Sequence, residues 1–104
     1  MVINLISSAT KSAVFKYVPM PQGNVTFHAI GITSASTGAA TVKVQVSNVE
    51  NNPNSWVDLG TITLAISTLS TSDGFASSAK WEFVRGNITA LSGSGASVSL
   101  IMGG

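Results

Sequence analysis

The chain has 104 residues, 44% of them hydrophobic and 9% charged, with no cysteine and a net charge of +1. That length makes one domain able to fold alone on a modest core, and the missing thiols exclude disulfides, zinc–thiolate sites and a cysteine nucleophile. The five dispersed cations, Lys11, Lys16, Lys43, Lys80 and Arg85, form no phosphate-binding stripe, which argues against nucleic acid, and no apolar run reaches the roughly 18 residues of a membrane span.

Residues 1–12 begin apolar, with Val2, Ile3, Leu5 and Ile6 too hydrophobic to stay in solvent. They read either as an edge strand of the domain's own sheet or as an N-terminal arm that adds a strand to a neighbouring subunit. The first residues lack the basic leader and long apolar core of a signal peptide, so synthesis in a host cytoplasm without export is expected. Ala13 to Val18 is a short β-rich run, stopped by Pro19 and Pro21. Val25 to Thr33 alternates as a strand, with Val25, Phe27 and Ala29 on one face and Thr26, His28, Ile30 and Ile32 on the other.

Thr41 to Leu64 reads as the hairpin around which the chain is organised. Val42, Val44 and Val46 alternate with Lys43, Gln45 and Ser47, and the polar stretch Asn48 to Ser55 forms the loop. In the returning strand the alternation puts Val57, Leu59 and Thr61 on one face and Trp56, Asp58, Gly60, Ile62 and Leu64 on the other. A short strand is expected near Ile66 to Leu69, and Asp73-Gly74 reads as a turn. Lys80 to Ala90 is a strand with Trp81, Phe83 and Arg85 opposite Glu82, Val84 and Ile88. The glycine turn after Leu91 leads into Ala96 to Met102, and this last pair reads as a second hairpin. No window carries a helical period. Seven or eight short strands at this spacing predict an all-β, single-domain antiparallel β-sandwich or jelly-roll-like barrel over residues 1–104.

The residues that carry chemistry in other proteins have plain structural roles here. His28 is the one histidine and lies mid-strand among apolar residues, and nothing in the spacing selects an acid and a serine to complete a triad with it. The four acids, Glu50, Asp58, Asp73 and Glu82, fall in a loop, on wet strand faces and in a turn. The loop from Asn48 to Asn54 is rich in oxygen but holds one carboxylate, too few for a calcium loop. No catalytic, cofactor-binding or metal residue is assigned, and an enzyme is not expected. Trp56, Trp81, Tyr17 and Phe75 are candidates for a sugar-stacking platform, though two tryptophans at strand starts more commonly anchor a core or an interface. Low charge beside high apolarity is balanced either by the 26 Ser and Thr residues or by apolar surface covered in an assembly, and composition leans to assembly.

One series of segments resembles small β-rich structural proteins of tailed bacteriophages. It runs Val44-Gln45-Val46-Ser47-Asn48, Trp56-Val57-Asp58-Leu59-Gly60-Thr61-Ile62, Asp73-Gly74-Phe75, Trp81-Glu82-Phe83-Val84-Arg85, Ile88-Thr89-Ala90-Leu91-Ser92-Gly93 and Ala96 with Val98. The resemblance covers about residues 40–102 and does not extend to residues 1–39. It implies a virion structural protein, most specifically a capsid decoration (cement) protein on the capsid surface. Such a protein would bind itself, as a homodimer or homotrimer, and the major capsid protein. The alternative it leaves open is a carbohydrate- or receptor-binding accessory domain of a phage tail or fibre, with a glycan as partner. Unexplained apolarity selects Val2, Ile3, Leu5, Ile6, Phe15 and Tyr17 as the interaction residues.

Overall fold

The computed structural model describes residues 2–21, 23–34, 37–49, 52, 54–66, 70–78 and 80–103. These form nine strands: β1 (Val2–Ala9), β2 (Ala13–Val14), β3 (Val18–Pro19), β4 (Val25–Ile32), β5 (Gly38–Ser47), β6 (Val57–Ile66), β7 (Ser70–Ser77), β8 (Phe83–Ser92) and β9 (Ser97–Gly103). They build two antiparallel sheets. The first has the order β1-β9-β4-β7, and the second β2-β8-β5-β6, with β3 also on β8. The all-β expectation and its two antiparallel layers therefore hold.

The pairing is nested. β5 bonds β6, β4 bonds β7, β2 and β3 bond β8, and β1 bonds β9, each pair enclosing the one before. Among the described residues β5–β6 is the one pair of consecutive strands that bond each other, so the hairpin singled out from sequence is the tip of the whole arrangement. β8 and β9 are not the second hairpin that alternation and glycine suggested. They belong to different sheets, and the turn between them arches from one layer to the other. Gly93 (φ 116°) and Gly95 (φ 63°) supply the left-handed backbone, and Ser34 donates both its N–H and its hydroxyl to the Ser94 carbonyl, at 3.0 and 2.9 Å. Alternation and turn chemistry are the same for a hairpin and for an arch; only the long-range partners differ.

The core lies between the layers. Val42, Val44, Val46, Ile62, Leu64, Ile66, Val84 and Ile88 face Leu5, Ile6, Val25, Phe27, Ala29, Val98, Leu100 and Met102, all buried. Three strand glycines make room for large side chains opposite. A Cβ on Gly86 would lie 2.6 Å from Ile6 Cδ1, one on Gly31 2.8 Å from Ile66 Cδ1, and one on Gly60 2.5 Å from the Phe75 ring.

Two irregularities change sequence-based assignments. Gln45 pairs with Asp58 and Val44 with Gly60, leaving Leu59 unpaired as a bulge. The bulge flips the alternation, so Asp58 lies outside while Gly60, Ile62 and Leu64 lie inside, not all on one face as simple parity gives. Asp73-Gly74 is not a turn; it lies within β7, where Asp73 pairs with Ala29 and Gly74 with His28. β6 itself continues through Ile66, and the rest of the expected Ile66–Leu69 strand falls outside the described residues.

Candidate functional site

The outer face of the β2-β8-β5-β6 sheet gathers most of the chain's unusual side chains. The bulge at Leu59 turns Asp58 outward beside Gln45, and the β5–β8 register puts Arg85 on the other side of Gln45. A polar relay runs across the three strands. Lys43 Nζ donates to Asp58 Oδ2 at 3.1 Å, Gln45 Nε2 donates to Asp58 Oδ1 at 2.9 Å, and Arg85 Nε donates to Gln45 Oε1 at 2.9 Å. Only this orientation of the Gln45 amide satisfies both neighbours, because Asp58 can only accept and Arg85 can only donate.

Aromatic rings continue the row. Trp56 ends the β5–β6 loop and lies under the Arg85 guanidinium, whose carbon is 4.4 Å from the ring centroid. Tyr17 packs against Trp56 at 5.8 Å and edge-on against Phe83 at 5.2 Å. Tyr17 arrives from between β2 and β3, where Phe15 N–H donates to the Gly86 carbonyl and Met20 N–H to the Glu82 carbonyl, holding that irregular strand to β8.

The electrostatics follow from these contacts. The Gln45 hydrogen bond, then the Lys43 hydrogen bond and charge, hold the Asp58 carboxyl below its ordinary 3.8 against a smaller opposing effect of desolvation. Burial pulls the Arg85 guanidinium below its ordinary value.

The candidates from sequence divide. Of the proposed aromatic platform, Tyr17 and Trp56 come together. Phe75 instead faces inward against Phe27, with ring centroids 5.2 Å apart, and Trp81 is half-buried against the core. Phe83 and Arg85 join the cluster although neither was singled out. Their signal was the outward parity of Phe83 and Arg85 against buried Val84, combined with a β5–β8 pairing that no local pattern reveals. Of the proposed interaction residues, Leu5 and Ile6 are buried in the chain's own core. Ile3 and Phe15 pack against that core, Tyr17 is half-buried in the aromatic row, and Val2 is 69% exposed. β1 pairs with β9 of the same chain, which is the edge-strand alternative for residues 1–12.

Other candidates stay dispersed. His28 is exposed on the outer face of the other sheet, beside Ile101 and Gly74 in register, and Asp73 is turned to the opposite side by its pairing with Ala29. Among the described residues no three His, Cys, Asp or Glu side chains lie together as a metal site, and no helix is long and apolar enough to cross a membrane. In the loop after β5, the Asn48 side-chain carbonyl accepts from Glu82 N–H at 3.1 Å, tying the loop to the start of β8, and that of Asn52 accepts from Asn54 N–H at 3.0 Å within the turn. Glu50 and Asn51 of the considered calcium loop lie outside the described residues. No family model, curated protein or solved structure matches the chain.

Proposed function

We propose that the chain is a non-catalytic structural protein of a phage particle, a capsid decoration protein that docks through the outer face of the β2-β8-β5-β6 sheet. The observation that carries the binding role is the row of Trp56, Tyr17, Phe83 and Arg85, held beside the polar relay of Gln45, Asp58 and Lys43 on one face of the sheet. Trp, Tyr and Arg dominate the energetics of protein interfaces because they bring large area and directional hydrogen bonds at low entropic cost. Here they are already ordered by one another and by Gln45, so little freedom is left to lose on docking. The capsid as the partner rests on the segment resemblance and on the strand order. We read the nested pairing as a jelly roll, an architecture common among viral capsid and lectin domains. Fold alone assigns no job, so the direct test is binding. The purified chain is sedimented with particles that lack it. Co-sedimentation of the wild type, with loss of at least tenfold in affinity for Trp56→Ala or Arg85→Ala, is the expected result. No sedimentation of the wild type, or equal binding by both variants, contradicts the reading.

A second reading, a glycan-binding tail or fibre domain, draws on a carboxylate and an amide beside Trp56. It ranks second because Arg85 already covers a face of that ring at 4.4 Å. Titration of a Trp81→Phe variant with glycans isolates Trp56 fluorescence; a saturable shift would favour this reading over capsid docking.

A further inference from the structure

Each sheet of the sandwich has two edges, and three of the four edges are blunted. β1 is interrupted by two register shifts and by Ser8 at φ 50°. On the far side of the other sheet, β2 and β3 have two residues each, and β3 contains Pro19, which has no N–H to offer. β7 carries Asp73 opposite buried Ala29, a charge turned toward the interior side of the rim. These are the devices by which sheet proteins prevent edge-to-edge pairing. β6 has its bulge at Leu59 and then runs regularly from Gly60 to Ile66 with no charge, no proline and no further register shift. It bonds only β5 among the described strands, which leaves alternate N–H and C=O groups on its other side without a strand partner.

From this asymmetry we infer that β6 is a self-pairing edge, and that two copies of the chain join by antiparallel β6–β6 addition about a two-fold axis at Thr63. The occupant is a second copy because the clean window is self-complementary. Thr63 is the midpoint of Gly60–Ile66, so the two-fold sets Thr63 against its own counterpart and Thr61 against Ala65 on the wet face, a Thr–Thr pair being favourable across strands. On the core side it sets Ile62 against Leu64 and Gly60, which has no side chain, against Ile66. No charge meets a like charge within the window, and the two cores become continuous. This closed, isologous contact goes beyond the docking reading above and does not depend on it.

The test needs no particle, so its failure leaves capsid docking standing and the failure of docking leaves it standing. Light scattering across a concentration series should show the wild type moving from one 10.6 kDa chain to two. Thr63→Lys, an edge charge on an exposed position, should hold the mass at one chain with an unchanged far-ultraviolet spectrum, while Ser72→Lys on the already protected β7 should dimerise like the wild type. Because the chain has no cysteine, Thr63→Cys provides a second reading that does not depend on the lysine variant folding. Under mild oxidation it should cross-link to a dimer at least tenfold faster than Ser72→Cys. A wild type that stays at one chain at the highest concentration, a Thr63→Lys variant that dimerises as well as the wild type, or equal cross-linking of the two cysteines overturns the inference.

Discussion

Gly60 shows how a single residue sets the packing between layers. The Phe75 ring occupies the space where a Cβ would stand, and Phe75 in turn rests on Phe27 in the centre of the core. Gly60→Ala must push the Phe75 ring, which is packed between Gly60 and Phe27, and overpacking of this kind costs about 1–3 kcal/mol. Urea unfolding should show that loss, and Phe75→Leu in the same chain should recover part of it; an unchanged midpoint for Gly60→Ala would mean the ring is not seated there. Asp58 offers a second test at this scale. Its folded pKa lies below its unfolded value, so its contribution is present above the ordinary 3.8 and is lost as pH falls through the lowered folded value. The group is exposed, so the readout is its own titration by carboxyl NMR. Gln45→Leu and Lys43→Met should each raise the Asp58 midpoint toward 3.8, because each removes a hydrogen bond that lowers it; a midpoint unmoved by Gln45→Leu would contradict the relay. Neither feature was legible in sequence. Parity placed Asp58, Gly60 and Ile62 on one face, and the bulged Leu59 that separates them is visible only in the pairing of Gln45 with Asp58.

Strands with one buried face were legible because burial imposes a period of two. β4 and β9 have the faces that alternation assigns, with Val25, Phe27 and Ala29 buried in the first and Ala96, Val98, Leu100 and Met102 buried in or just before the second. β7 was missed because an edge strand of Ser, Thr, Asp and Gly carries no such period; its place comes from eight consecutive pairings with β4. β1 left an ambiguity between arm and edge strand that its own composition does not resolve. What resolves it is distant in sequence: Gly86 on β8 leaves space for Ile6. The element therefore makes unequal demands along its length. Ile6→Ala should cost about 2–5 kcal/mol, as buried large-to-small changes do, whereas Val2→Ser should stay within about 0.5 kcal/mol. Equal, small effects at both positions would mean that β1 does not contribute to this core.

At the scale of the molecule, nesting makes folding a non-local problem. After β5–β6 closes, each further pair spans a longer stretch of chain, out to Val2 opposite Gly103. Loop closure must come before those contacts reward it, so refolding is expected in milliseconds to seconds, as for other sheet proteins of high contact order; sub-millisecond refolding in stopped-flow would contradict the topology. The proposed docking and the inferred pairing use two different surfaces, the face of Trp56, Tyr17 and Arg85 and the β6 edge. If both hold, a pair of chains would present two docking faces on one continuous sheet and would act as a clamp that adds buried area across the joints of a shell. The most direct measurement is the temperature at which particles release their genome, with the chain, without it, and with purified protein added back. A lowered release temperature without the chain, restored by the wild type and not by Trp56→Ala, is the predicted result. An identical release temperature in all three preparations would contradict the assignment of this chain to the stabilisation of a capsid.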